Sequence, residues 1–398
     1  ESNPFQTVLQ LLADEGFDGF ATALEILLNE AMKLERAAVL HAEPYQRTPQ
    51  RRGHANGFKP KTVKTRVGEV TFAVPQVREG GFYPTALEKG LRSERALKLA
   101  LAEMYIQGVS TRKVTAVLEK LCGTEVSSME VSRAVAALDK VVEAWRNRPL
   151  GEFVYVTLDA RYEKVRQDGA VRDAALLIAT GVGVDGIRRV LGVSVSLGEH
   201  EVHWRTFLQS LVARGLRGVQ LIVSDAHEGL GAARRTVFGG VPWQRCQFHL
   251  QQNARAYVPR EELKAEVATD IRAIFNAPHR AEAEALLAKT VLKYAKTASK
   301  LSTWMEANLP QGFTVFDLPE AHRRLLRTTN GLERVNEEIR RRTRVVGIFP
   351  NCAAVTRLVG ALLLEQNDEW QLQRRYMQLE GLQSLSNNQT ARLSAVVS

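Results

Sequence analysis

Two aspartates in the middle of the chain occupy positions where a carboxylate is costly unless a cation compensates its charge. Asp159 closes the apolar run FVYVTLDA, and Asp225 closes the apolar run VQLIVSD; both runs are rich in β-forming residues. At the end of a buried strand a carboxylate loses hydration, and two on neighbouring strands repel each other. A divalent cation relieves both penalties, which favours a metal site. For a single aspartate, a cap on the following segment is the simpler interpretation.

A third oxygen ligand is expected on a different element, because hard cations such as Mg²⁺ take their ligands from carboxylates and water. The segment TTNGLERVNEEIRRRTR has the pattern of a helix that begins near Thr328. Its apolar positions recur at spacings of three and four residues: Leu332, Val335 and Ile339. Glu333 lies beside that face near the N-terminus, where the helix dipole favours a carboxylate. Glu337, one turn later, is the alternative third ligand.

The same helix allows an interpretation without a metal. Glu338 lies further round than Glu333 and Glu337, and all three acids would also fit a solvated face. In that case they pair with the basic residues that follow: Arg340, Arg341 and Arg342. Spacing alone leaves both interpretations open.

The elements that must position these acids are recognisable from their periodicity. Three β-rich runs follow one another, namely FVYVTLDA, AALLIATGVGVD and RRVLGVSVSL. An amphipathic helix, HWRTFLQSLVARG, and the strand VQLIVSD come next, and VPWQRCQF predicts a short fifth strand. This order indicates an α/β fold with a mixed sheet. From His249 to about Leu326, rows of Ala, Leu and Glu predict a helical subdomain inserted into that α/β unit.

The N-terminal part is predicted to be helical and then strongly basic. Residues 5–40 carry apolar residues at helical spacing, with a break at Gly16 and Gly19, and their apolar face needs cover from the chain or from a second copy. VKTRVGEVTFAV predicts a hairpin around Gly68–Glu69. The densest basic stretch is interleaved with aromatic residues, which favours contact with a DNA backbone over a solvated linker. Its members are Arg47, Arg51, Arg52, Lys59, Lys61, Lys64 and Arg66.

Residues 93–146 return to helical spacing. Ser110 is placed to cap the helix TRKVTAVLEKL, and the turn CGTEVSS leads into a second helix, MEVSRAVAALDKVVEAW. Two helices joined by a short Gly-containing turn resemble a helix-turn-helix. Plain helical packing accounts for the same pattern almost as well.

Composition indicates the class of partner. The 398 residues include 54 Lys and Arg against 44 Asp and Glu, which gives a net charge of +10. This excess favours a polyanion, of which DNA is the commonest large one, although RNA or an acidic protein stays open. The three cysteines lie far apart without a CxxC pair, which fits a reducing compartment. No apolar run has membrane-spanning length and no signal-peptide pattern is found, so we expect a cytoplasmic, nucleoid-associated protein without a membrane partner.

Four widely spaced stretches, in the same order, resemble the bacterial Mutator-type insertion-sequence transposases, a family with an RNase H-like DDE catalytic core. They are LDARYEKVR, IVSDAHEGL, WQRCQFHLQQN and TTNGLERVNEEIRRRTRVVGIFPN. QRRGHANGFKP, VPQVREGGFYP and DEWQLQRRYM are similar to the family as well. The resemblance spans nearly the whole chain. It implies that Asp159, Asp225 and Glu333 are the catalytic acids and the metal ligands, and it selects Glu333 over Glu337.

From this resemblance we expect a transposase that uses two Mg²⁺ ions, with Mn²⁺ as a substitute, to cut and join DNA strands. The expected partners are double-stranded DNA, as terminal inverted repeats and as target, and a second copy of the chain or a higher assembly. Further DNA contacts are expected in the matched stretches, from Arg161, Lys164, Arg334, Arg340 and Arg341. Active-site support is expected from His227, Trp243, Cys246, His249, Asn330 and Asn336.

Several of the supporting residues have simpler interpretations. Cys246 and His249 form a CxxH pair, but structural zinc requires four ligands and no second pair is present in the sequence. Core packing or a contact near the scissile phosphate therefore remains for that pair. His227 would reach the phosphate or a metal-bound water, or is a loop histidine. Trp243 would stack on a distorted base, although a buried tryptophan is the simpler interpretation.

The expected domain organisation follows the same boundaries. The domains are a helical dimerisation or DNA-binding segment (1–42), a basic hairpin and linker (43–92), a helix-turn-helix-like domain (93–149), an RNase H-like core in two parts (150–249 and 327–380), a helical insertion (250–326) and a tail (381–398). Two other functions stay open. One is an RNase H-like, metal-dependent DNA endonuclease without transposition, and the other is a DNA-binding protein without catalysis.

Overall fold

The structure is a computed structural model that describes residues 3–78, 81–90, 92–122, 126–373 and 375–379. The chain divides into two units, Glu1–Leu138 and Asp139–Ser398. The expected tail, residues 381–398, lies outside the described residues. No helix in the described ranges is both long enough and apolar enough to cross a membrane.

The first unit begins with two helices, α1 (Pro4–Glu15) and α2 (Phe20–Leu40), separated by a 3-10 turn over Gly16–Gly19. The predicted break at the two glycines is confirmed. Gly16 has φ +58°, a conformation that side chains with a Cβ rarely adopt, and it ends α1. Helix α2 buries Met32 against the strand pair that follows.

That strand pair is the predicted hairpin, formed by β1 (Ala55–Thr65) and β2 (Gly68–Val77). Its turn consists of Arg66 and Val67, so the prediction of a turn around Gly68–Glu69 was wrong by two residues. The reason is local. The Thr65 hydroxyl donates to the carbonyl of Gly68 over 2.7 Å, and Gly68 opens β2 with φ +117°.

Three further helices complete the first unit: α3 (Arg95–Ile106), α4 (Thr111–Cys122) and α5 (Ser128–Ala136). They share a core of Leu97, Leu101, Val114, Leu118 and Val131. A capping box between Ser127 and Glu130 begins α5. The long helix predicted through Trp145 is wrong, because α5 ends at Ala136 and a separate α6 (Leu138–Arg146) buries Trp145 in the second unit.

The second unit is built on a mixed α/β sheet, as predicted. Its strands are β3 (Phe153–Gln167), β4 (Ala170–Gly183), β5 (Arg188–Ser196), β6 (Leu221–Ser224), β7 (Trp243–Arg245) and the two-residue β8 (Ile348–Phe349). The order is β5-β4-β3-β6-β7, antiparallel among the first three strands and parallel from β3 onward, with β8 parallel to the far end of β3. The fifth strand predicted in VPWQRCQF is confirmed as β7.

Two helices cover one face of this sheet. They are α7 (Glu201–Ala213), which is the predicted crossover helix, and α8 (Glu228–Val237). Leu158, Leu177 and Ile222 of the sheet pack with Trp204 and Leu208 of α7 in one core. This packing decides which face of the sheet each side chain of β3 points to, because alternate residues along a strand point to opposite faces.

The prediction that Asp159 closes its strand was wrong. Strand β3 continues to Gln167, and the segment from Asp159 to Gln167 pairs with Ile178 to Ala170 of β4. The apolar pattern ends at Asp159 only because the second half of the strand has polar side chains; the ladder of hydrogen bonds continues. Asp225, by contrast, directly follows the last residue of β6, as predicted.

The chain between β7 and the helix that carries Glu333 is helical, in agreement with the predicted insertion. Its helices are α9 (Gln247–Ala254), α10 (Leu263–Phe275), α11 (Arg280–Tyr294), α12 (Ser299–Asn308) and α13 (Glu320–Leu326). Helices α9 to α12 share a core of their own, which includes Ile271, Leu301 and Phe313. The unit ends with α14 (Asn330–Val346) and α15 (Cys352–Leu372).

Candidate active site

Asp159 lies on β3, and Asp225 directly follows β6, the parallel strand next to it. Strands β3 and β6 pair in the register Tyr155 with Leu221 through Thr157 with Val223. The same register, continued by two residues, sets Asp159 opposite Asp225. In-register residues of parallel strands point to the same face, and neighbouring strands lie about 4.8 Å apart. Each carboxylate therefore lies in the electrostatic field of the other, and Asp225 contributes to raising the pKa of Asp159.

The Asp159 carboxylate is difficult to ionise. Burial is the largest cause and raises its pKa to about 6, against the lowering effects of the Ala160 backbone N–H and the Asn336 side chain. The Asn336 amide donates to Oδ2 of Asp159 over 2.7 Å. A cation bound here would replace the proton, and it would relieve the desolvation that raises the pKa.

Two basic side chains lie in the field of the aspartates. The pKa of His249 is raised to about 9, chiefly by the Cys246 thiol beside it and further by Asp225 and Asp159. This shift favours the protonated ring. The Arg245 guanidinium is buried, and burial lowers its pKa while Asp225 opposes that effect. Its Nη1 donates to Asn308 over 2.9 Å, which holds the guanidinium in place.

Cys246 links the strand of Asp225 to the helix of Glu333. Its backbone N–H donates to the carbonyl of Ser224, the residue before Asp225, over 2.9 Å. Its sulfur accepts from the Thr329 backbone N–H at 3.4 Å and from the Thr329 hydroxyl at 3.5 Å. Thr329 is the residue before α14. The CxxH pair thus belongs to the framework of the site: Cys246 connects two elements, and His249 supplies charge.

Glu333 occupies the first turn of α14, where the helix dipole favours a carboxylate. The helix forms because Leu332, Val335 and Ile339 are buried on one face. Glu333 is partly buried, and its Oε1 is a buried oxygen without a hydrogen-bond partner among the described residues. Such an oxygen is costly unless a ligand completes it.

The two other acids of this helix have different surroundings. Glu337 is exposed. Glu338 forms ion pairs with Arg341, at 3.2 Å, and with Arg342. The solvated-face interpretation therefore applies to Glu338, and the burial of Glu333 supports the choice of Glu333 over Glu337.

Helix α14 is fastened to β3 by polar contacts. Besides the bond from Asn336 to Asp159, the Arg161 guanidinium donates to the Asn336 carbonyl and pairs with Glu163 at 2.7 Å. The Thr343 hydroxyl donates to Glu163 over 3.2 Å. Arg161, expected to contact DNA, is largely buried and engaged in these internal contacts, which favours a structural role.

The other expected support residues lie near the site but have partners within the chain. His227 pairs with Glu199 at 3.6 Å. The Trp243 indole N–H donates to the Ser224 hydroxyl over 2.9 Å, and the ring packs on the sheet core with Arg234 above it, which favours the packing interpretation. Asn330 is exposed at the first position of α14.

The expected DNA-contacting residues outside the first unit fall into two groups. Lys164 is exposed and pairs with Asp173 at 3.6 Å. Three arginines are exposed on α14, namely Arg334, Arg340 and Arg341, and Arg341 forms an ion pair with Glu338. An exposed arginine close to Glu333 in sequence, such as Arg334, is available to an external phosphate.

In the first unit the basic stretch is divided as well. Lys61 donates to the Tyr83 hydroxyl over 2.7 Å, Lys64 pairs with Glu130 at 3.0 Å and Arg66 pairs with Glu94. Arg51 is partly buried and donates to the Glu43 carbonyl over 3.4 Å. Arg47, Arg52 and Lys59 are exposed and form no ion pair among the described residues, whereas Arg66 is exposed but paired. Those three are the best placed of this set to meet a polyanion.

The types of residue present suit a hard divalent cation, although the described side chains do not form a complete set of metal ligands. Carboxylates and an amide oxygen are the donors that Mg²⁺ prefers. The unpartnered Oε1 of Glu333 and Oδ1 of Asn336 are donors without a partner in the described chain. Within those same residues, no three acidic, histidine or cysteine side chains converge closely enough to hold an ion. The two aspartates are the close pair of acids. To complete a metal site, the Glu333 carboxylate would have to move towards them.

Sequence reasoning missed two residues of the site, Arg245 and Thr329. Both lie inside stretches that carried the family resemblance, Arg245 within WQRCQFH and Thr329 within TTNGLERV. Their positions in those motifs were the available signal. Their roles depend on contacts across more than sixty residues of chain, which no local pattern encodes.

Comparison with known proteins defines the class to which this fold and site belong. Residues 5–373 match the family described as "Transposase, Mutator family". The chain belongs to the Mutator family of transposases.

Named relatives agree with this assignment. The chain is 58% identical to the transposase for insertion sequence element IS406 of Burkholderia multivorans, over 95% of this chain and 98% of that protein. It is 42% identical to the transposase for ISRM5 of Rhizobium meliloti, over 92% of each chain. The transposase for IS256 in transposon Tn4001 of Staphylococcus aureus is 36% identical, over 93% of this chain and 95% of that one.

Among solved structures, a chain from a cryo-EM structure of a simian T-cell lymphotropic virus intasome, in complex with a PP2A regulatory subunit, is matched over 48% of this chain and 63% of that chain. The sequence identity is 12% and the TM-score is 0.16, too low for the two folds to be called alike.

Proposed function

We propose that this transposase acts through a DDE site in an RNase H-like core, with Asp159, Asp225 and Glu333 as the three acids. It would cut DNA at the terminal inverted repeats of an insertion sequence and join the freed 3′ ends to target DNA. The observation that carries the proposal is the parallel pairing of β3 with β6, whose register, continued two residues beyond its last pair, would bring Asp159 opposite Asp225. The unpartnered Oε1 of Glu333, at the start of the helix tied to both strands, supports it.

The cofactor that fits these donors is Mg²⁺, as two ions, with Mn²⁺ as a substitute. When bound between the acids, such ions would activate the nucleophile and stabilise the leaving oxygen of an in-line displacement. The chain's own contribution is to hold the carboxylates in place. Asn336 orients Asp159, and Cys246 fixes the strand of Asp225 relative to the helix of Glu333.

The proposed reaction has two steps at one site. Water attacks the scissile phosphorus, and the bond to the 3′ oxygen breaks, which leaves a 3′-OH and a 5′-phosphate. In the second step that 3′-OH attacks a phosphorus of the target, and a target 3′ oxygen leaves. The cationic His249 and the Arg245 guanidinium lie where they can offset the negative charge that accumulates on the phosphoryl oxygens.

Binding of element ends is proposed for the first unit. The exposed Arg47, Arg52 and Lys59 supply positive charge, and helices α4 and α5 are the candidates for reading base edges. The helices α1 and α2 also carry exposed apolar side chains, including Phe5 and Leu34. We propose that a second copy of the chain covers this face, since two element ends must be held together. A sedimentation experiment that finds only monomers, with and without end DNA, would overturn this part.

The closest competing function is a metal-dependent endonuclease with the same acids and no transposition. Both functions require cleavage, so the position of the cuts separates them. We suggest incubating the chain and Mg²⁺ with labelled duplexes that contain each element end and its flanking DNA, and mapping the nicks. Cuts at the element termini, followed by joined products, are expected. Cuts without regard to the termini would indicate the endonuclease.

Substitutions separate both enzymes from a DNA-binding protein without catalysis. Asp225→Asn and Glu333→Gln should lower cleavage by about 100-fold or more while end binding is kept. Glu337→Gln is the matched control, because Glu337 is an exposed acid on the same helix, and it should cut like the unmodified chain. If all three variants behave alike, the assignment of the acids is wrong.

A further inference from the structure

Arg188, the first residue of β5, is held between two aromatic rings. Its guanidinium carbon lies 3.6 Å from the ring centre of Trp370 and 4.7 Å from that of Tyr376. Trp370 belongs to the last turn of α15, and Tyr376 to the segment after it. Both rings come from DEWQLQRRYM, a stretch to which the proposed reaction gives no role. Stacking of this kind holds a guanidinium in place, and the Arg188 side chain also donates a hydrogen bond to Tyr376.

The same guanidinium touches the first turn of the helix that carries Glu333. A Cβ added at Gly331 would lie 2.4 Å from Nη1 of Arg188, closer than any real contact allows. Gly331 is two residues before Glu333, so Arg188 reaches the immediate neighbourhood of the third acid. Glycine in a helix is unfavourable by about 1 kcal/mol relative to alanine. The close approach of Arg188 accounts for a glycine at position 331.

The charge of Arg188 is uncompensated within the described part of the chain. No acidic side chain there forms an ion pair with it. Burial, the largest cause, lowers its pKa; Tyr376 opposes this, and the nearby Arg334 adds to it. Its Nε is buried and without a hydrogen-bond partner. The positive end of the α14 dipole lies beside it. Two arginines and the positive end of the helix dipole thus meet at the first turn of α14, where Glu333 is the acid of that turn.

The next residue provides a contrast on the same strand. Arg189 pairs with Asp185 at 2.5 Å and donates to it a second time at 3.0 Å. Arg189 therefore has a carboxylate partner, whereas Arg188 lies against two aromatic rings and the first turn of α14. A site with this composition is completed by an anion.

We propose that Arg188, held by Trp370 and Tyr376 against Gly331, binds a phosphodiester of the DNA strand next to the scissile phosphate. This inference rests on the proposed function, because it takes Glu333 to mark the point of cleavage. The ligand class is a backbone phosphate, so no base specificity follows from it. Gly331 is the residue that keeps the space for the guanidinium.

The first test compares Arg188→Gln with the matched control Arg189→Gln. End binding is measured over a range of salt concentrations, cleavage with Mg²⁺ present, and the midpoint of thermal unfolding in parallel. Loss of one phosphate contact should reduce the slope of log affinity against log salt by about 1. We expect this for Arg188→Gln, with cleavage at least tenfold lower and an unchanged unfolding midpoint. Arg189→Gln should keep the slope of the unmodified chain.

The second test locates the phosphate. Duplex ends are prepared with a single neutral methylphosphonate at each position around the cut in turn. One substitution should weaken binding by the unmodified chain and have no further effect on Arg188→Gln. If Arg188→Gln retains the full salt slope and the same methylphosphonate pattern, and loses cleavage only in proportion to thermal stability, Arg188 is a structural contact and the inference is wrong.

Gly331→Ala supplies an independent measurement. Alanine favours the helix, so the variant should unfold at the same or a higher temperature. Its methyl group displaces the tip of Arg188, so the salt slope and cleavage should fall as in Arg188→Gln. Unchanged slope and cleavage would overturn the inference. If instead the unmodified chain cuts no DNA, the proposed function has failed, while the methylphosphonate pattern still decides whether Arg188 contacts a phosphate.

Discussion

The side-chain amide of Asn336 donates to Oδ2 of Asp159 over 2.7 Å, and this one hydrogen bond joins the third-acid helix to the first-acid strand. It runs across 177 positions of sequence. The bond engages Oδ2 only, and the Ala160 backbone N–H is a second donor to the same carboxylate. The bond from Asn336 orients Asp159.

Replacing Asn336 should impair cleavage more than folding. In Asn336→Ala the carboxylate loses its orienting donor, and residues that orient metal ligands typically contribute a factor of about 10 to 100 in activity or metal affinity. We expect a loss in that range, measured as the rate of nicking at an element end, with end binding retained. A variant that cuts at the normal rate would show that Asp159 is oriented by other contacts.

Mg²⁺ should stabilise the fold through the two aspartates. A ligand that binds only the folded state adds about 2.7 kcal/mol when its free concentration is about 100 times its Kd. The unmodified chain should therefore unfold at a higher temperature with Mg²⁺ than with a chelator. Asp225→Asn should lose this difference and Glu337→Gln should keep it. An equal rise in both variants would place the bound ion elsewhere.

Asp159→Asn should be more stable than the unmodified chain at pH 7.5 in the absence of metal. The folded-state pKa of Asp159 is raised to about 6 by burial, above its ordinary value of 3.8. The stability that protonation contributes is complete below about pH 4 and is lost as pH rises through 6. The asparagine variant should gain on the order of 2 kcal/mol at pH 7.5 and little at pH 4.

Denaturant unfolding at the two pH values measures this gain. Asp173→Asn is the control, because Asp173 is an exposed acid on the adjacent strand. A gain in the free energy of unfolding at pH 7.5 no larger than that of the control would mean that ionised Asp159 does not destabilise the fold. The predicted outcome is the signature of an acid retained for binding rather than for stability.

Cys246→Ala should weaken the link between the strand of Asp225 and the start of α14. The Thr329 N–H and hydroxyl would lose their shared acceptor, which destabilises by about 1 kcal/mol. Cleavage should fall by about tenfold, and Cys246→Ser, which retains an acceptor, should recover part of it. Cys352→Ala is the control for thiol removal in general. Full activity in Cys246→Ala would refute a positioning role.

The sheet was predictable from the sequence because its strands are locally encoded. The apolar runs that became β3 to β6 are long and β-branched, and their order sufficed to predict a mixed α/β unit. The end of β3 was not predictable. Arg161, Glu163 and Thr343 bury polar atoms against one another, so the strand continues where its composition turns polar.

The three acids were predictable only to a degree. Periodicity placed Asp159 and Asp225 at apolar strands, but the choice of Glu333 over Glu337 depended on resemblance. The physical difference between the two glutamates is burial, which follows from how α14 docks on β3. Arg188 was outside the reach of any local pattern, because its partners come from two distant parts of the chain, Gly331 in α14 and Trp370 with Tyr376 at the end of α15 and just after it.

The short strand β8 has a mechanical consequence. Ile348 and Phe349 pair with Lys164 and Val165, directly after α14 ends at Gly347. The helix is thus fastened to β3 at its far end as well as through Asn336, which opposes sliding along its axis. Rotation about the torsions of the Glu333 side chain would bring that acid towards the aspartates. In the proposed two-step reaction, the site would adapt to water and then to a 3′-OH by rotation of this one side chain.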